Sequence, residues 1–243
     1  MADPSALTYV FLGIAVLLSA WVQGFSGLGF SLIAAPAITQ IIPGSAGIGV
    51  VNLLALAQNS WQIWREEGVI HGGILRRMGP GLLMGFGIGV AGLIFLPDRM
   101  RPAVVALSSL LSMAALLWWR PRPTNTTATL SGTWGGAVNT YAGVGGPPLA
   151  AFLVRQGWEP GSYIRTQQTV FAALNIVSIP ILGVRHVQPL ALLVGVVVVA
   201  IGASVGIWMR HRVPAKGAMR VSVAMILVVS GVAFIRSMIQ LLG

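Results

Sequence analysis

GFSGLGF at residues 24–30 and AGVGGPP at residues 142–148 decide how this sequence folds, because each sets a cluster of glycines between two apolar segments. Glycine reaches backbone conformations closed to other residues, so such a cluster stops a helix and lets another group come close to the main chain. Outward from these breaks the 243-residue chain keeps one character. Apolar segments run over residues 7–22, 30–42, 46–64, 73–96, 102–119, 128–141, 149–154, 163–182, 187–209 and 219–242. Only 15 basic and five acidic residues are present against 56% apolar ones, and nearly all the charges fall in the gaps. Runs near the roughly 20 residues that span a bilayer core, separated by charged gaps, predict an all-α polytopic membrane protein in the lipid bilayer. The segments flanking each break read as short: the first, second, sixth and seventh.

The arrangement occurs twice. A shift of 116 positions carries Gly27 and Gly29 onto Gly143 and Gly145, Asn52 onto Gln168, Asn59 onto Asn175, and Gly79 onto Gly195. The sequence therefore predicts two repeats of five segments, residues 1–124 and 125–243, forming one integral membrane domain. In each, the first two segments are short and joined by the Gly-rich break. Eleven basic residues, among them Arg65, Arg120, Arg155 and Arg210, fall in gaps on one side, against Arg99, Arg101 and Arg185 on the other. The positive-inside rule makes the first side cytoplasmic and places both termini outside. An odd number of segments per repeat makes the two halves inverted. Trp64, Trp118, Trp119, Trp158 and Trp208 adjoin the cytoplasmic gaps, where interfacial tryptophans belong.

Segment 30–42, as a helix, would rise about 20 Å, short of the hydrocarbon core. The expectation is two hairpins dipping in from opposite faces, their breaks meeting near the midplane. Full crossing by these segments would leave the topology unchanged. Unwound backbone at that depth must be enclosed by protein or line a wet cavity. The free amides and positive dipole end of a helix starting near Phe30 or Leu149 favour an anion. The candidate substrate-binding residues are Gln23, Ser26, Gly27, Gly29, Asn52, Asn59, Tyr141, Gly143, Gly145, Gly146, Gln168 and Asn175. Ser31, Gln58, Asn139, Thr140 and Gln167 are further polar residues of the same segments. All the side chains are neutral donors and acceptors suited to an oxyanion. Asn52 with Asn59, and Gln168 with Asn175, are seven apart and share a helix face. Read blandly, the glycines would serve helix packing and the amides would hold helices together.

Several classes are disfavoured. Cysteine is absent and the histidines (His71, His186, His211) lie in gaps, so no metal site and no cofactor is expected. All five acidic residues (Asp3, Glu66, Glu67, Asp98, Glu159) also lie in gaps, leaving no intramembrane carboxylate as a proton relay or sodium ligand. Arg236 stands near the outer end of its segment, where it can snorkel. The net charge of +10 is scattered over many loops, which argues against nucleic acid. The N-terminal run has no basic leader or cleavage site and reads as a retained membrane segment.

With Gly24, Gly27, Gly29 and Pro36 after the first segment, and Gly143, Gly145, Gly146 and Pro147 after the midpoint, the chain resembles the sulfite exporter TauE/SafE family of membrane permeases. The resemblance runs over nearly the whole chain. It implies a secondary transporter, an exporter in the prokaryotic inner membrane, for sulfite, organosulfonates or related sulfur-containing oxyanions. The first break has Phe30 and Ser31 where the second has Gly146 and Pro147, so the two need not contribute equally. Two other readings are an anion channel and a purely structural membrane scaffold. A third is an intramembrane serine protease built on the GFSG of residues 24–27, which would need a histidine within reach of Ser26. The partners expected are a small anion and lipid, with the oligomeric state, a homodimer included, left open.

Overall fold

The computed structural model describes residues 6–42, 44–183, 188–210, 212–213 and 215–242. His186, His211, Arg185, Val187 and both chain ends, which entered the sequence reading, lie outside the described residues. The described residues form ten α-helices: α1 (Ala6–Ser26), α2 (Phe30–Thr39), α3 (Gly44–Arg65), α4 (Gly73–Phe95), α5 (Arg101–Trp118), α6 (Asn125–Ala142), α7 (Gly146–Leu153), α8 (Pro160–Leu182), α9 (Pro189–Arg210) and α10 (Ala215–Leu242). Single turns of 3-10 helix precede α5 and follow α7. No strand occurs among them.

Two of the four segments expected to be short are not. α1 has 21 residues and α6 has 18, so α1 alone reaches about 31 Å, enough to cross a bilayer. The helices continue where the apolar run stops. Gly24 does not interrupt α1: a Cβ there would lie 2.5 Å from the Ala203 carbonyl oxygen, so this glycine serves the contact with α9. α6 starts in polar sequence because Thr124 caps it, its hydroxyl accepting from the Thr127 amide. Only α2, with ten residues, and α7, with eight, are short.

These two short helices form the inside of the bundle. Every residue of α2 except Ser31 is buried, and every residue of α7 except Gly146. Around them five helices are long and apolar enough to span a membrane: residues 7–26 of α1, α4, the 98–118 segment containing α5, α9, and residues 219–242 of α10. Their outward side chains, such as Phe11, Leu83, Phe95, Leu193 and Ile235, are exposed and apolar, as a lipid-facing surface requires.

The same 116-residue shift carries the starts of α2, α3 and α4 onto those of α7, α8 and α9, and the end of α1 onto the end of α6. Packing follows the same exchange. α1 packs most extensively on α9, and its counterpart α6 on α4, while α3 crosses α8 and α5 meets α10. Glycines bring the outer pairs together. Cβ atoms at Gly81 and Gly85 would lie 2.0 and 2.2 Å from the carbonyls of Thr129 and Thr133, and one at Gly206 would lie 2.3 Å from that of Trp21. Close backbone approach of this kind is how helices associate without a hydrophobic driving force between them.

Candidate functional site

The chain leaves α1 at Gly27 with φ 80° and leaves α6 at Gly143 with φ 73°, the left-handed conformation glycine adopts without strain. Beyond that point the breaks differ. Gly29 holds φ 127°, whereas Gly145 has φ −69° and owes its glycine to packing, since a Cβ would lie 2.0 Å from the Gly135 carbonyl. Ser26 secures the first break, its Oγ lying 2.9 Å from the Val22 carbonyl and 2.6 Å from that of Leu28. Its hydrogen bonds go only to main chain. Among the described residues no histidine hydrogen-bonds to Ser26, and His71 is stacked on Trp158 at 4.3 Å.

The two breaks face one small cavity. Gln23, Leu28, Gly29, Ser31, Leu32, Ala55 and Asn59 line it from the first half, and Asn139, Val144, Gly146, Pro147, Phe171 and Asn175 from the second. Ser31 and Gly146, the two residues of the short helices that are not buried, are both in this lining. The volume is about 20 Å³, room for a single water. No lining residue is ionisable, so any electrostatic preference comes from dipoles and amide hydrogens.

Those dipoles are unequal. α2 begins with ordinary amides, and its first, at Phe30, donates to Gln23 Oε1 at 3.0 Å. α7 begins Gly146-Pro147-Pro148, and proline has no N–H, so its first turn offers fewer donors. Expecting two equivalent helix ends therefore overstates the second.

Around the cavity the carboxamides form a linked network. Gln23 Nε2 lies 3.1 Å from Asn59 Oδ1, 3.3 Å from Gln62 Oε1 and 3.1 Å from Gln168 Oε1. Asn139 Nδ2 donates to Asn175 Oδ1 at 3.2 Å. With their oxygens occupied in this way, Asn59 and Asn175 turn their Nδ2 groups elsewhere, and neither donates a hydrogen bond. Both residues are at least 97% buried and line the cavity. Gln167 and Gln168 donate to the Gly27 carbonyl at 2.9 and 3.1 Å, fixing the first break to α8.

Of the residues expected from sequence, Gln23, Gly29, Asn59, Gly146 and Asn175, with Ser31 and Asn139, meet at the cavity. Ser26, Gly27 and Gln168 stand directly behind it in the first break and its support. Asn52 faces Gly143, whose Cβ would lie 3.2 Å from Asn52 Oδ1, and its side-chain atoms have no partner. Gly145 packs on α6. Tyr141 turns away, its ring against Gly92 on α4. Sequence reasoning missed Gln62, which donates to the Gln23 carbonyl at 3.0 Å and is fully buried. Its signal was present: it lies three residues beyond Asn59, on the same helix face.

A second set of contacts joins the halves away from the cavity lining. The loop after α3 binds the start of α8: Val69 N donates to Ser162 Oγ at 2.8 Å, His71 N to Thr166 Oγ1 at 3.0 Å, and Arg165 to the Gly68 carbonyl. Glu66 forms an ion pair with Arg210 at the end of α9.

Comparison with known proteins agrees with this architecture. A family model described as Sulfite exporter TauE/SafE matches residues 12–234. The chain belongs to this family. As a member it is a multi-pass membrane protein of a transporter family associated with sulfite and related sulfur anions. Neither the curated proteins nor the solved structures contain a match.

Proposed function

We propose that this TauE/SafE member is a secondary carrier that exports a sulfur-containing oxyanion, sulfite or a small organosulfonate, through the cavity between the two breaks. The observation that carries the reading is the pair of Nδ2 groups of Asn59 and Asn175 that donate to no protein acceptor, on two residues lining one cavity beside the first turn of α2. Neither Nδ2 is walled off from accessible space, so each can turn its hydrogens to an oxyanion's oxygens. The dipole of α2 adds positive potential where no counter-charge is needed. Absence of carboxylates from the lining avoids repulsion of the anion.

In this reading the halves are inverted repeats, the breaks lie near the bilayer midplane of the inner membrane, and the face bearing Glu66 and Arg210 is cytoplasmic. A cavity with room for one water supports a carrier over an open pore, because a sulfur oxyanion cannot enter without a change of shape. Exchange of packing partners between halves supports alternating access by rocking one set of helices against the other.

The test is flux in proteoliposomes across sulfite, sulfoacetate, sulfate and chloride. Saturable uptake of sulfite or sulfoacetate, accelerated by the same anion on the far side, is the expected result. Ohmic current, or no flux of any of the four, would overturn the proposal.

A further inference from the structure

The donor best placed to receive an anion is already occupied by the protein itself. Gln23 Oε1 accepts from the Phe30 amide at 3.0 Å, so a neutral oxygen sits where α2 would hold an oxyanion oxygen. The other end of this carboxamide has two hydrogens and three acceptors, Asn59 Oδ1, Gln62 Oε1 and Gln168 Oε1, on α3 and α8. Gln23 is 4% exposed and lines the cavity whose volume suffices for only one water.

The second half provides an internal comparison. Asn139 stands 116 positions after Gln23 and makes the equivalent bond, to Asn175. One methylene shorter, it makes no bond to the first amide of α7 at Gly146. Among the described residues, only Gln23 in the first half both joins the central helices and fills its own helix terminus.

We propose that Gln23 is a tethered surrogate ligand: it holds the empty carrier contracted, and the incoming anion displaces its carboxamide from Phe30 N. This rests on the carrier reading given above. Displacement does two things at once. It frees the α2 amide for an anion oxygen, and it releases Nε2 from α3 and α8, so that binding loosens the contact between the two halves. The two unpartnered Nδ2 groups of Asn59 and Asn175 give the displacing anion further donors, which a neutral carboxamide oxygen fixed to Phe30 N does not use. Gln23 thus acts as a specificity element against weak acceptors, since a ligand must outcompete an oxygen already in place.

The experiment is calorimetric titration of the purified chain with sulfite and with sulfoacetate, alongside Gln23→Asn and Gln23→Glu, each checked for a cooperative thermal melt. Gln23→Asn, which keeps an amide for Asn59 but loses reach to Phe30 N, should bind about fivefold more tightly, the equivalent of one hydrogen bond no longer displaced. Gln23→Glu plants a carboxylate on the α2 terminus and should abolish binding while melting at or above the parent temperature. Weaker binding by Gln23→Asn with an unchanged melt would make Gln23 a direct ligand and overturn the inference, with the carrier reading intact. Absence of binding by the parent chain and by both variants would instead remove the carrier reading, and this inference with it.

Discussion

Asn139 Nδ2 lies 3.2 Å from Asn175 Oδ1, and 116 residues earlier Gln23 Nε2 stands 3.1 Å from Asn59 Oδ1, the same relationship across the same 36 residues of chain. In each pair the donor comes from the helix before a break and the acceptor from the long helix after it. The effect is to spend the Asn oxygens on the protein and leave the Asn amino groups for the cavity. A carboxamide held in this way presents only its donor end, which is selective for anions over cations.

Asn59→Leu and Asn175→Leu should therefore each remove a donor from the site. A hydrogen bond to a charged group contributes about 1.5–3 kcal/mol, so sulfite affinity should fall by roughly one to two powers of ten in each variant. Leucine at position 175 also leaves Asn139 without its acceptor, so some loss of thermal stability accompanies it, whereas at position 59 Gln23 keeps Gln62 and Gln168. Titration of both variants with sulfite is the measurement, and unchanged affinity in both would remove these residues from the site.

How much of this was legible follows from which forces act locally. Ten apolar runs with charged gaps follow from transfer into lipid, and the helices fall within a few residues of them. α1 and α6 run past their apolar segments because a helix persists through glycine or polar positions once a neighbour packs or a cap forms there, as Ala203 does at Gly24 and Thr124 does ahead of α6. Asn59 and Asn175 stood out as polar residues seven beyond another amide. The role of Asn139 as their organiser's twin was hidden, because Gln23 and Asn139 differ in type and only the fold brings each to its partner. Tyr141 is polar, but residue type alone does not reveal that its ring packs against Gly92.

Glycines of α4 separate packing from mere flexibility. A Cβ at Gly85 would lie 2.2 Å from the Thr133 carbonyl, while one at Gly87 meets nothing within 4 Å. Gly85→Ala should lower the melting temperature by an amount corresponding to about 1–3 kcal/mol of overpacking. Gly87→Ala should be neutral or stabilise by up to about 1 kcal/mol, through better helix propensity. Thermal unfolding in one detergent decides it, and equal effects at both positions would contradict the packing of α4 on α6.

Binding should be insensitive to pH for a ligand of fixed charge. Amides, hydroxyls and backbone donors do not titrate, and the cavity lining contains no group that does. The affinity for a simple alkanesulfonate should stay constant within about twofold from pH 6 to pH 9. A steady slope over that range would place an ionisable group at the site and refute the neutral-donor account.

The ties around Glu66 and Arg210 should control access from one side. Their side chains are only 11% and 18% exposed, so removing one leaves the other a half-buried charge with its partner gone, which destabilises this closed arrangement. Because the chain contains no cysteine, Ser31→Cys supplies a single thiol in the cavity lining without further engineering. In inside-out vesicles, where the cytoplasmic face meets the medium, a membrane-impermeant thiol reagent should label this cysteine several-fold faster once Glu66→Gln or Arg210→Gln is added. A reversed pair, Glu66→Arg with Arg210→Glu, should return labelling towards the parent rate, because it restores the attraction with opposite polarity. If all four backgrounds label at one rate, the loop that Glu66 anchors does not close the route to Ser31, and the entrance must be sought between other helices.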